Sequence, residues 1–138
     1  MAHKIEELPI YPKVIEFWLA VNALLEKPKL RSDRDLHGQI SRANSSIPSN
    51  MVEGFEQSTD RAFARFLTHS KGSVAKVRLR LKQAYFKNYI TKEDFESISG
   101  AGETLGKMLG GFIKYLPRSD WRDRGSHTAD DSPSDPKE

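Results

Sequence analysis

The chain has no cysteine among its 138 residues, which excludes disulfides, thiol catalysis and cysteine-ligated metal. Long apolar runs are missing too. The most apolar segment, "VIEFWLAVNALL", is interrupted by Glu16 and Asn22 and falls well short of the roughly 20 residues that span a bilayer. The start, "MAHKIEELPIYPK", lacks the basic-then-apolar order of a secretory signal. These absences predict a soluble, cytoplasmic protein with no membrane partner. Four histidines are spread at positions 3, 37, 69 and 127 with no H-x-x-x-H spacing, and no G-x-S-x-G or phosphate-loop motif occurs. Paired Glu-x-x-His motifs, which a di-iron bundle needs, are also absent. The expectation is a protein that is not an enzyme and holds no metal or cofactor.

What is present is charge and helical periodicity. The net charge is +3, unevenly spread: from Pro117 onward there are four Lys/Arg against six Asp/Glu, leaving 18 against 13 before it. A mildly basic body therefore precedes an acidic tail. Four segments repeat apolar residues every three or four positions, and none shows the alternation of a half-buried strand.

The first helix is predicted from about Pro12 to Lys27, with Val14, Phe17, Trp18, Val21, Leu24 and Leu25 on one face. "KPKLRSD" then reads as a polar connection, because Pro28 cannot continue a helix. The second helix begins at Ser32 or Asp33, either of which can cap it, and runs to about Phe55. Its stripe is Leu36, Ile40, Ala43, Ile47, Met51 and Gly54. The third runs from about Asp60 to Asn88, with Phe63, Phe66, Leu67, Val74, Val77, Leu81, Ala84 and Tyr85 inward. Thr91 and Asp94 have the form of a capping box for a fourth helix reaching Leu116, with Phe95, Ile98, Gly102, Leu105, Leu109, Phe112, Ile113 and Leu116 as its stripe. Four helices with short loops and one apolar face each predict an all-α, antiparallel up-down-up-down four-helix bundle over residues 1–116. Residues 117–138, nearly devoid of large apolar side chains, are expected to form a disordered polar tail.

Within the second helix, "NSSIPSNMVEGF" places Pro48 in the middle of the apolar stripe. Proline removes one amide hydrogen and crowds the carbonyl four residues earlier, so a bend is expected, with nearby Ser and Asn side chains taking up the freed acceptors. Arg42, Ser46, Asn50 and Glu53 form a polar ridge there, either a network that fixes helix register or a subunit contact, or a pocket for a ligand or RNA.

These residues carry a resemblance. "QISRANSSIPSNMVEGF" followed by "FARFLTHSKGSVAKVRLRL" resembles the bacterial four-helix-bundle family of 23S rRNA intervening-sequence proteins, whose members tend to read R-A-x-x-S-I-P-x-N-x-x-E-G-F, then F-x-R-F-L, then G-S. Here those positions are Arg42, Ala43, Ser46, Ile47, Pro48, Asn50, Glu53, Gly54 and Phe55, then Phe63, Arg65, Phe66 and Leu67, then Gly72 and Ser73. The likeness extends from about residue 9 to 116. It implies a bundle assembled as a ring-shaped homopentamer, similar to the accessory variability proteins of diversity-generating retroelements, which bind nucleic acid and a reverse transcriptase. One departure stands out. Lys76 occupies a position where the family commonly has glutamate, and Arg78 lies near another that is commonly acidic, so this chain is more basic there than its pattern.

The third helix has further features of its own. Opposite its core stripe, Ala64, Thr68, Gly72, Ala75, Leu79 and Phe86 make a second small and apolar face, which with Ile15 and Leu19 on the first helix predicts an oligomer interface. Lys71, Arg78 and Lys82 flank that face on one side, and Lys76, Arg80 and Lys87 on the other. Two readings follow. Either these six cations bind RNA or another nucleic acid electrostatically, or they form a solvated face balanced by acids of the fourth helix such as Glu93, Asp94, Glu96 and Glu103, on a scaffold whose partner is a protein. The glycines of "LGKMLGG" are expected to permit close approach of a neighbouring helix.

Overall fold

The computed structural model describes residues 3–116, so the tail predicted for 117–138 lies outside the described residues. After a short 3-10 turn at Ile5–Glu7 come α1 (Ile10–Leu24), α2 (Pro28–Ser32), α3 (Arg34–Phe55), α4 (Asp60–Phe86) and α5 (Lys92–Tyr115). The described residues contain no strand. Four long helices form the bundle. α1 packs on α3 and α5, and α4 packs on the same two, so α1 and α4 stand on the diagonal. The most extensive packing is between α3 and α4.

The helix ends follow local chemistry. Asp33 is the residue that caps α3, its carboxylate accepting the Leu36 amide at 3.1 Å. Thr59 caps α4 by accepting from the Ala62 amide, and Thr91 and Asp94 close the predicted capping box on α5. α4 stops because Asn88 turns left-handed at φ 63°, letting the Tyr89 amide reach back to the Ala84 carbonyl. Asn tolerates that conformation better than most residues with a side chain.

Two boundaries differ from the sequence expectation. α1 begins at Ile10, because a proline in the first turn, here Pro12, gives up only an amide that has no intrahelical partner. The expected connection at residues 28–32 is instead a short helix: Pro28 does end α1's path, but as the first residue of α2 it also starts the next turn. That turn drives Leu30 into the core with no exposure.

The core stripes are buried as expected along all four helices, with Trp18, Phe66, Tyr85, Phe95, Phe112 and Ile113 half-buried at the edges. Phe63 sits at the centre of the α3–α4 end, edge-on to Phe55 and to Phe112 at centroid distances of 5.9 and 5.7 Å. Three polar residues are also buried, Asn44, Asp60 and Ser70. The Asn44 amide donates to the Trp18 carbonyl and to Asn22 Oδ1, both at 3.1 Å, and so joins α3 to α1.

Candidate functional site

The seam between α3 and α4 gathers the polar residues around Pro48. The helical run continues through the proline from Arg34 to Phe55. Around it, side chains reach the carbonyls: Ser46 Oγ donates to Ala43, Asn50 Nδ2 to Ser46, and Ser70 Oγ crosses from α4 to the Ile47 carbonyl at 2.7 Å. The Ser46 and Ser73 hydroxyls are in direct hydrogen-bond contact. These crossings pin the antiparallel register, residue 46 opposite 73. Glu53 does not join them. It is exposed and lines neither of the two clefts described next.

The pinned register opens two clefts along the seam. One, of about 300 Å³, is lined by Gln39, Arg42, Ser46, Ser73, Lys76 and Arg80. The other, of about 610 Å³, shares Ser73 and Lys76 and continues to Asn50, Phe66, His69 and Gly72. Arg42, Ser46, Lys76 and Arg80, which the sequence pattern divides between two features, thus line one cleft, and Asn50 lines the adjoining one that shares Ser73 and Lys76. Gln39, Ser70 and Ser73 were missed as site residues. The 4–3 spacing of Phe63, Leu67, Ser70, Val74 and Val77 was the available signal for Ser70.

Not all six cations of α4 are equivalent. Lys71, Lys76 and Lys82 are exposed, whereas Arg78 and Arg80 are half-buried, each with a buried Nε that no atom of the described residues accepts. The Arg78 stem lies on Gly102 of α5, where an added Cβ would stand 2.7 Å from its Cδ. Both arginines are therefore packed as well as charged. Lys87 is already committed. It pairs with Asp33 at 3.2 Å, and Tyr89 donates to the same carboxylate oxygen at 2.9 Å. The Leu36 amide first, then Tyr89 and Lys87, hold the Asp33 carboxyl below its ordinary pKa, and Asp33 in turn raises that of Lys87. This cluster ties the start of α3 to the end of α4 and serves as an anchor.

Of the four α5 acids that the second reading sets against these cations, three pair elsewhere. Asp94 pairs with Lys27, Glu96 with Lys92 and Glu103 with Lys107. Lys71, Lys76, Arg78, Arg80 and Lys82 pair with no carboxylate among the described residues.

On the outer face of α4, Gly72 and Ala75 are exposed, as are Leu79 at 52% and Phe86 at 68%. Lys82 sits over the Phe86 ring at 5.9 Å. Ala64 does not belong to this face: it is buried, as are Asp60, Ala62 and Phe63 in the first turns of α4, and it is part of the core. On α1, Leu19 is 54% exposed and Ile15 half-buried. Since α1 and α4 are diagonal, their outer faces point away from each other. The "LGKMLGG" glycines behave differently from one another: a Cβ on Gly110 would meet the Lys71 stem at 3.3 Å, while Gly106 and Gly111 face open space.

Among the described residues no helix is long and apolar enough to cross a membrane, and no three His, Asp or Glu side chains gather where a metal ion could sit.

Comparison with known proteins agrees with this architecture. A family model described as "23S rRNA-intervening sequence protein" matches residues 6–111. The chain is similar in structure to a protein of unknown function from the S23 ribosomal protein family of Bacteroides thetaiotaomicron. The TM-score is 0.69 at 24% identity, covering 76% of this chain and 98% of that one, a likeness of fold. No curated protein matches the chain.

Proposed function

The chain belongs to the family of 23S rRNA-intervening sequence proteins, and from that premise we propose that it is a non-enzymatic, cytoplasmic, homo-oligomeric bundle that binds structured RNA electrostatically along α4. The observation that carries the reading is the set of five α4 cations without a carboxylate partner among the described residues. Unpaired cations on one helix attract phosphates and release counterions, so the binding is strong at low salt, steeply salt-dependent and poor in sequence preference. No cofactor is required.

Oligomerisation multiplies the effect. Apolar faces on opposite sides of the bundle, Leu19 on α1 and Leu79 with Phe86 on α4, suit a head-to-tail contact that closes into a ring, for which the family resemblance gives five protomers. Light scattering on the full chain is expected to give about five times the 15.7 kDa protomer mass, falling toward one protomer in a Leu79→Glu/Phe86→Glu variant. A monomeric parent protein would overturn the ring.

RNA binding is tested by titration at several salt concentrations. Reversal at Lys71, Lys76 and Lys82 suits the test better than reversal at Arg78 and Arg80, whose half-buried stems contribute to packing. The triple Lys→Glu variant is expected to bind weakly, its salt slope flattened by about one unit for each lysine that contacts a phosphate. Unchanged affinity and slope would favour the second reading, a protein-interaction scaffold, which the exposure of Leu79 and Phe86 supports.

A further inference from the structure

We infer that the α3–α4 groove is a phosphate-binding site, in which Arg42 from α3 and Lys76 and Arg80 from α4 close on one phosphate group. Three observations carry this. The first is register. With Ser46 held against Ser73 in an antiparallel pair, Arg42, four residues before Ser46, falls opposite position 77, between Lys76 and Arg80 and about 6 Å of helix rise from Ser46. Two helices thus present cations to one cleft of about 300 Å³.

The second observation is that nothing in the described chain neutralises them. The cleft is lined by no carboxylate, and none of the three cations has an ion-pair partner among the described residues. Gln39 of the lining connects to an acid only indirectly, its amide donating to Asp35 at 2.8 Å. Three like charges converging without an anion repel one another, and an anion in the cleft relieves that. Two guanidinium forks and one ammonium match a tetrahedral phosphate better than a planar carboxylate needs.

The third is that Arg42 is parked rather than bonded. Its Nη1 would lie 3.0 Å from a Cβ at position 38, so Gly38 leaves room for the guanidinium to lie beside the bare helix backbone one turn before Arg42, next to Gln39 of the cleft lining. Arg80, for its part, has an Nε that no atom of the described chain accepts. Neither guanidinium has a hydrogen bond or ion pair among the described residues, although Arg80 is partly packed.

The phosphate has two possible sources, the backbone of an RNA or a free phosphoanion such as a nucleotide. The inference rests on the proposed function only in naming RNA as one of them. Full-length protein is titrated with inorganic phosphate at constant ionic strength, with chloride as the reference, following backbone amide shifts by NMR. Saturable shifts centred on Arg42, Ser46, Ser73, Lys76 and Arg80 are expected. Lys76→Glu, which supplies an internal carboxylate at an exposed position, and Arg42→Gln should each weaken phosphate binding at least about tenfold, the scale of one charge-assisted contact. Lys82→Glu, with the same change in net charge on the other flank of α4, should leave it unchanged.

The idea is overturned by non-saturating shifts, or by equal effects of Lys76→Glu and Lys82→Glu. RNA titration of the same variants then separates the sources. If RNA displaces phosphate and Lys76→Glu weakens RNA binding more than Lys82→Glu does, the backbone supplies the anion. If phosphate binds saturably while RNA does not bind at all, the RNA reading fails and the groove stands as a site for a free phosphoanion. If both lysine reversals weaken RNA equally and phosphate never saturates, the groove fails and the RNA reading stands.

Discussion

Replacing Gly54 by alanine is expected to destabilise the bundle by about 3 kcal/mol, although alanine is the better helix former by about 1 kcal/mol. An added Cβ would lie 2.7 Å from the Phe66 Cβ, 2.9 Å from Phe63 Cδ1 and 3.3 Å from the Phe63 carbonyl. None of these atoms can yield cheaply. A Cβ moves only with its backbone, and the Phe63 ring, with no exposure, is held edge-on by Phe55 and Phe112. The strain is relieved only by moving α4 away from α3, near the turn that joins them and along the most extensive contact in the bundle. Cores resist such insertion because they are packed near crystal density. Gly106→Ala is the matched control, since nothing lies within 4 Å of its added Cβ and helix propensity should prevail. Urea midpoints should therefore move in opposite directions. Equal midpoints for the two variants would mean that α3 and α4 pack more loosely than this geometry requires.

That contact also shows why parts of the protein were legible from sequence. Gly54 fell in the α3 stripe because its neighbours at 47 and 51 are Ile and Met, and periodicity does not require the glycine itself to be apolar. Caps were readable for the same local reason: Asp33 and Thr91 act on amides three residues away. What failed was what depends on other helices. α2 has five residues and one buried apolar side chain, too short for any period to register. Ala64 falls on the outer face of a helical wheel, yet it is buried with the core, which depends on neighbours that a wheel does not contain. The groove was half legible. Arg42 and Ser46 stood out beside Pro48, and Lys76 and Arg80 stood out as charge, but that they face each other follows from a register set by Ser46, Ser70 and Ser73, which no single-helix pattern contains. Lys87 was misjudged for the same reason, because its partner Asp33 is distant in sequence.

Asn44 exposes the same limit and leads to the second large effect. It follows Ile40 and precedes Ile47 and Met51 at 4, 3 and 4 residue steps, so it occupies a core position of the stripe with a polar side chain. Its Nδ2 donates to the Trp18 carbonyl and Asn22 Oδ1, and its own Oδ1 is buried without a partner. Asn44→Asp would replace the donor by an anion facing those two oxygens. Asn22 can turn its amide to offer a hydrogen, but the Trp18 carbonyl cannot. The ionised form is therefore expelled, and the folded-state pKa of the new carboxyl rises above its unfolded value of about 3.9 by up to about 3 units. The sign follows from that direction. The variant keeps its full stability below the unfolded pKa, where a protonated carboxyl can still donate to Trp18. It loses about 1.4 kcal/mol per pH unit as pH rises toward the folded pKa, reaching a deficit of about 4 kcal/mol at neutral pH. Denaturation of parent and variant at a series of pH values checks this, and a deficit independent of pH would mean that water reaches the site. Asn44→Leu separates cost from purpose. The Trp18 carbonyl already receives a helix amide, so an apolar residue leaves little unsatisfied, and stability should stay within about 1 kcal/mol of the parent. If that variant is as stable but loses its sharp NMR spectrum, Asn44 serves to fix the pairing of α1 with α3 at a single register, the role buried asparagines play in helical cores. A sharp spectrum would leave that register to the apolar contacts alone.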